Sequence, residues 1–282
     1  MIGSICVCGA GTMGRGIARL AAASGLPTLL YDKQATVLES AKAEIEKGLQ
    51  SMVDKNKITQ QEFQSTSTRL RYSTQIGDCV ADLVIEAIVE VLEQKEELFR
   101  ALEQINPAST YYASNTSSLS VTKIAACLSH PQKMAGMHFF NPPQVMKLVE
   151  IVRTAYTDQQ TLEVISGLAK QMGKSPVLCL DAPGFIVNHV ARPFYLEALH
   201  LLEIGISDCA STDRLMEAAG FKMGPFRLMD LIGNDINYAV SCSLYESFGR
   251  PPRLKPSRIQ KEKVDALMLG QKTQKGYYDY SS

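Results

Sequence analysis

No sign of charge dominates this chain. Its 282 residues carry 29 Lys and Arg against 29 Asp and Glu, a formal net charge of zero. That balance gives no electrostatic footing for nucleic acid or a lipid surface, so neither is expected as a partner. No apolar run approaches the roughly 20 residues that a membrane-spanning helix needs. No basic segment precedes the first apolar run, Ile2 to Val7, which argues against a secretory leader. Internal repeats and low-complexity stretches are absent as well. Cysteine occurs, but in no framework. Cys6, Cys8, Cys79, Cys127, Cys179, Cys209 and Cys242 are odd in number and sit mostly in apolar stretches. They read as buried thiols of a protein in a reducing cytoplasm. Cys6 and Cys8 share one face of a strand, yet no second Cys or His pair completes a tetrahedral set, so no metal is expected.

What is present is an ordinary globular composition, 45% hydrophobic and 21% charged. The length suits about two domains. The first part repeats a strand-then-helix rhythm. Ile2 to Val7 reads as a strand, and Met13, Ile17, Leu20 and Ala21 recur at helical spacing until Gly25, a helix C-cap. Thr28 to Tyr31 is a second strand, and Thr36 to about Lys55 a long exposed helix. Leu83 to Ala87 and Tyr111 to Ser114 are further strands, separated by a helix from Leu92 to Gln104. This alternation predicts an α/β fold of Rossmann type, a doubly wound parallel sheet. Near Pro183-Gly184 the pattern turns helical. A long helix from Phe185 to Ile204, and others over Met216 to Gly220 and Asn234 to Phe248, predict a smaller all-α domain. The expected division is residues 1–183 and 184–282.

Gly9-Ala10-Gly11-Thr12-Met13-Gly14 fits G-x-G-x-x-G. The pattern alone is weak, but here a strand precedes it, a helix follows, and an acid ends the next strand. Gly9 permits the tight turn, Gly11 lets a diphosphate approach the backbone, and Gly14 lets the helix pack close. The helix N-terminus offers N–H groups and partial positive charge to phosphates. Asp32, 23 residues after Gly9, can accept from ribose hydroxyls and would repel a 2′-phosphate. NAD is therefore the expected cofactor, with Lys33 weakening the preference against NADP a little. The plain alternative is a structural turn beside a solvated acid.

Four polar segments lie beside apolar stretches: Ser114 to Ser118, His138 to Asn141, Glu150 and Asn188. His138 follows a strand, Met134 to Met137, and Glu150 closes the apolar run Val145 to Val149. A His with a carboxylate partner is the usual unit for moving a hydroxyl proton. The acid would hold one ring nitrogen and favour the imidazolium. Ser117 and Asn188 could donate to a carbonyl oxygen. Each also has a bland reading: a structural histidine, a surface acid, a helix cap, a residue bridging helices. On these residues alone the chain is an NAD enzyme whose base stays open.

Four longer motifs resemble the L-3-hydroxyacyl-CoA dehydrogenases, the bacterial 3-hydroxybutyryl-CoA type being nearest. They are Ala113-Ser114-Asn115-Thr116-Ser117-Ser118-Leu119, Gly136-Met137-His138-Phe139-Phe140-Asn141-Pro142, Met146-Lys147-Leu148-Val149-Glu150, and Pro183-Gly184-Phe185-Ile186-Val187-Asn188. The likeness runs on to Gly270-Gln271-Lys272-Thr273 and Gly276-Tyr277-Tyr278. The resemblance implies His138 as general acid/base oriented by Glu150, with Ser117 and Asn188 on the reacting oxygen and Asn141 where nicotinamide and substrate meet. It implies cofactor contacts at Glu90, Lys95 and Lys272, and a coenzyme A contact at Lys55. Relatives often have Ser where this chain has Gly48, and usually more Gly in the tail than Gln271 to Gly276 shows. An acyl-CoA substrate and a homodimer through the helical domain are the implied partners. Two rival expectations share the fold: a dehydrogenase of a free hydroxy or sugar acid, like the crystallin-related gulonate dehydrogenases, and a non-catalytic NAD-binding protein.

Overall fold

Asp82 decides where the first strand begins. Its carboxylate accepts from the backbone N–H of Gly3 (2.8 Å) and Ser4 (2.9 Å). These residues are thus held by a side chain, and the strand starts later than the apolar run, at Ile5–Cys8 (β1). The computed structural model describes residues 2–281. Two compact units divide at Ala182 and Pro183.

In the first unit, β1 leads through the glycine turn into α1 (Thr12–Ala23), then β2 (Thr28–Tyr31) and α2 (Ala35–Asp54). Next come α3 (Gln60–Arg69) and β3 (Leu70–Ser73). Reciprocal hydrogen bonds between Thr59 and Glu62 cap α3, an arrangement of the sort worth about 1 kcal/mol. Then follow β4 (Leu83–Glu86), α4 (Leu92–Ile105), β5 (Tyr111–Ser114), α5 (Val121–Ala125), β6 (Met134–Phe139), β7 (Leu148–Arg153), α6 (Gln159–Gln171) and β8 (Ser175–Leu180). The strands form one sheet in the order β3-β2-β1-β4-β5-β6-β7-β8. It is parallel except between β6 and β7, which run antiparallel. The expected all-parallel pattern fails there because β6 and β7 are joined by a short connection, Phe140 to Lys147, with no crossover helix.

Side chains alternate along a strand, so each strand serves two faces. Ile5, Val7, Leu30, Leu83, Ile85, Ala113, Met137, Phe139, Val149 and Ile151 point to one of them. They join Ile17 and Ala21 of α1, Ile45 of α2, and Leu162, Ile165 and Leu168 of α6 in one apolar core. The alternate residues face the other way: Cys6, Cys8, Val84, Glu86, Tyr112, Ser114, His138 and Glu150. Register agrees with the grouping, since Cys8 lies beside Glu86, Glu86 beside Ser114, and His138 opposite Glu150. The first face packs on α1, α2 and α6. The opposite face also buries Cys6, Val84, Met134 and Tyr112, the last edge-on to Phe99 of α4, and it carries the buried polar groups.

The second unit is helical: α7 (Val187–Glu203), α8 (Cys209–Ala218), α9 (Pro225–Ile232), α10 (Asn234–Ser247) and α11 (Arg258–Asp265). The first of these starts two residues later than its apolar pattern predicts. Gly184 and Phe185 have φ of 74° and 50°, left-handed values that a right-handed helix cannot include. The helix α8 starts earlier than expected because the Asp208 carboxylate caps it, accepting from Ser211 N at 2.7 Å. Buried Asp230 accepts from the backbone N–H of Tyr277 (2.9 Å) and Tyr278 (3.0 Å), so the Gly276-Tyr277-Tyr278 motif anchors the tail to α9.

Candidate functional site

The three glycines of the turn differ in what surrounds them. Gly9 has φ of 103°, and a Cβ there would stand 2.5 Å from the Ala87 carbonyl oxygen. A Cβ on Gly14 would stand 1.7 Å from the Gly9 oxygen. Both positions therefore need glycine for the fold itself. A Cβ on Gly11 would meet nothing within 4 Å. The fold does not require glycine there; the bare backbone borders open space at the start of α1. Gly11 caps that helix without a side-chain hydrogen bond, and its first turn holds no acid. The positive end of the helix is thus left uncompensated by a side chain. Thr12 is exposed, and Met13 packs partly against the apolar core. Asp32 follows β2 and accepts from Ala10 N (2.8 Å) and Gln34 N (3.0 Å), tying the turn to the next strand. The turn lies between β1 and β4, where the sheet order reverses, the usual place for a ligand in an open α/β sheet. These features fit a dinucleotide diphosphate.

A chain of charges runs from the end of β4 to the loop after β5. Glu86 is fully buried. It accepts from Lys95 Nζ (2.5 Å), Ser114 Oγ (2.6 Å) and Ile88 N (2.7 Å). Burial pushes its carboxyl up, against the opposing pull of the Lys95 ammonium. Lys95 also pairs with Glu90 at 3.2 Å. Glu90 in turn accepts from Thr116 Oγ1 (2.5 Å), Ser117 N (3.1 Å), Ser118 N (3.2 Å) and Ser118 Oγ (2.9 Å). Burial raises the Glu90 carboxyl, but Lys95 and the hydroxyls of Thr116 and Ser118 outweigh it and hold it below the usual range. The Lys95 side chain is 1% exposed, so its charge is spent on these two acids.

His138 lies within β6, not after it, and Glu150 is the third residue of β7, not the close of an apolar run. Val145 and Met146 belong to the exposed connection. The antiparallel register sets the two residues directly opposite each other, and His138 Nδ1 lies 2.7 Å from Glu150 Oε2. Both are buried. The Phe140 ring stands 4.6 Å from the imidazole, centroid to centroid. Asn115 Oδ1 accepts from Phe139 N at 2.8 Å, joining the Ser114–Ser118 segment to the same strand end. Asn141 is exposed, two residues beyond β6.

The first unit therefore brings Gly9, Gly11, Gly14, Asp32, Glu90, Ser117 and His138 to the carboxyl ends of its parallel strands. Lys55 caps the far end of α2 and is exposed. At Gly48 on that helix, a Cβ would stand 2.4 Å from Arg19 Nη1, so the guanidinium takes the room a serine would need. Asn188 is the second residue of α7, in the second unit. Lys272, in a short turn of the same unit, pairs with Asp235 at 2.6 Å. Sequence reasoning gave no role to Glu86 or Lys174. A single acid ending the apolar strand Leu83-Val84-Ile85 was a usable signal for the first. Lys174 had none; its buried ammonium donates to the carbonyls of Pro143 (2.5 Å) and Met146 (2.9 Å), holding the connection after His138.

The chain is similar to known proteins over nearly its whole length. Residues 4–182 match the family "3-hydroxyacyl-CoA dehydrogenase, NAD binding domain", and residues 184–280 match "3-hydroxyacyl-CoA dehydrogenase, C-terminal domain". The chain is 45% identical over 279 residues to the 3-hydroxyadipyl-CoA dehydrogenase of Escherichia coli K12, covering 98% of itself and 59% of that protein's length. It is 39% identical to the mitochondrial hydroxyacyl-coenzyme A dehydrogenase of Rattus norvegicus, over 99% of itself and 92% of that protein. Among solved structures, the (S)-3-hydroxybutyryl-CoA dehydrogenase of Ralstonia eutropha superposes with a TM-score of 0.94 at 36% identity, over the whole of both chains.

Proposed function

This chain belongs to the 3-hydroxyacyl-CoA dehydrogenase family, and from that membership we propose that it interconverts (S)-3-hydroxyacyl-CoA and 3-ketoacyl-CoA with NAD, on short acyl chains such as 3-hydroxybutyryl-CoA. The observation that carries the chemistry is the buried His138–Glu150 pair, 2.7 Å apart in strand register. Gly9, Gly11, Thr12, Met13, Gly14 and Asp32 would hold the cofactor, which would supply the hydride acceptor. His138 takes the hydroxyl proton as the C3–H bond breaks, leaving a C3 carbonyl. Glu150 holds Nδ1, which turns Nε2 toward the substrate and stabilises the imidazolium. Positioned acid/base groups of this kind contribute about 10²–10⁴-fold.

The remaining residues hold and orient. Ser117 donates to the reacting oxygen, and Asn141 serves the junction of nicotinamide and substrate. Glu90 and Lys95 support the cofactor side by fixing the loop that carries Ser117. Lys55 meets the coenzyme A phosphates as a point charge. The helical unit exposes Leu215, Phe221, Leu231 and Ile236, which supports a homodimer formed through it. Seven free cysteines suit the reducing cytoplasm. Steady-state kinetics test the proposal, using 3-ketoacyl-CoAs of increasing length and free 3-keto acids, each with NADH and NADPH. Turnover should favour short ketoacyl-CoA with NADH. Preference for a free acid, or no oxidation of NADH with any ketoacyl-CoA, would overturn it.

A further inference from the structure

Among the described residues, one group of soft ligands has no part in that chemistry. Cys6 and Cys8 alternate onto the same face of β1, with Sγ atoms 3.8 Å apart. Cys79 joins them from the loop that precedes β4, and the three sulfurs all lie within 4.8 Å of one another. That loop is fixed. Cys79 N donates to Ile76 O at 2.9 Å, and its carbonyl accepts from Asn106 Nδ2 at 2.9 Å. Asn106 Oδ1 accepts from Ala81 N at 3.0 Å. All three cysteines are fully buried. The sequence shows a C-x-C pair alone; the third thiol comes 71 positions after Cys8, brought in by the pairing of β1 with β4.

We propose that Cys6, Cys8 and Cys79 form a three-thiolate site for one thiophilic d¹⁰ cation, with Cu⁺ the best-matched occupant. An ion about 2.3 Å from each of three coplanar sulfurs sets them about 4.0 Å apart. The Cys6–Cys8 spacing is within a few tenths of that. A disulfide would need a separation of about 2.05 Å, so the thiols are spread as a chelate is. Soft thiolates select Cu⁺ and Zn²⁺ over harder ions. Structural zinc is almost always four-coordinate, and no fourth Cys, His, Asp or Glu joins the group among the described residues. Three ligands suit Cu⁺. Each coordinating thiol loses its proton to solvent as its sulfur–metal bond forms, with no change of oxidation state. Asp78 and Val80, on either side of buried Cys79, are exposed. Cys8 adjoins Gly9, so the ion would pin the residue before the glycine turn to the loop before β4.

The test titrates the full-length, anaerobically reduced protein with Cu⁺ against a chromophoric Cu⁺ chelator, and separately with Zn²⁺ and Cd²⁺. One Cu⁺ per chain is expected, with an X-ray absorption first shell of sulfur alone at about 2.3 Å. Cys79→Ala should weaken retention by at least about tenfold, and Cys127→Ala, outside the group, should leave it unchanged. Tighter retention of Zn²⁺ than of Cu⁺ would overturn the choice of occupant. No retained ion, nitrogen or oxygen in the first shell, or full retention by Cys79→Ala would overturn the site. The absorption measurement uses the unaltered protein, so it holds whether or not Cys79→Ala folds.

Discussion

Alanine at two glycines of the turn should give different phenotypes. Gly14→Ala drives a methyl into the Gly9 carbonyl, with 1.7 Å between Cβ and oxygen, and the helix must move. Overpacking of that kind costs about 1–3 kcal/mol, so its thermal midpoint should fall with or without cofactor. Gly11→Ala adds a methyl that, beyond its own chain neighbours, meets nothing within 4 Å. Its midpoint without cofactor should stay near the wild-type value while KM for NAD rises. Equal loss of stability in both would contradict the assignment of Gly11 to the ligand. Residues of this kind were the most legible in the sequence, because a glycine pattern, an acid and their spacing are local signals. Glu86 was not, since its partners Lys95 and Ser114 meet it only once β4, α4 and β5 are packed.

At the scale of elements, alternation along the strands does most to arrange the site. It gathers Glu86, Ser114, His138 and Glu150 on one face, among buried apolar neighbours such as Val84 and Tyr112. The strands were readable as apolar runs, but the reversal at β7 was not, because a short connection and its register leave no mark in periodicity. That reversal is what sets Glu150 against His138. The Glu86–Lys95–Glu90 chain makes two predictions. Lys95→Met leaves buried Glu86 without its cation, and breaking such a pair costs about 3–5 kcal/mol. Adding Glu86→Gln to Lys95→Met should recover part of that loss in a denaturant titration; a further loss would contradict the coupling. The second concerns pH. Glu90 is held below the usual carboxylate range, so its stabilising effect is present above its unfolded value and is lost as pH falls through the lower folded value. The wild type should therefore lose stability on acidification more steeply than Glu90→Gln. Parallel acid limbs would show that Glu90 does not hold the loop.

For the whole molecule, the split into a sheet unit and a helical unit was visible as a change of period near Pro183-Gly184. Homodimer formation predicts a solution mass near twice the chain's 30.9 kDa; a mass near that of the single chain would contradict it. The central claim is that this fold presents His138 as the group that moves the substrate proton. It is tested most directly by kcat for acetoacetyl-CoA reduction in His138→Gln, alongside NADH binding to the same variant. NADH affinity should be unchanged and kcat lower by about 10²–10⁴-fold. A kcat near the wild-type value would contradict the claim.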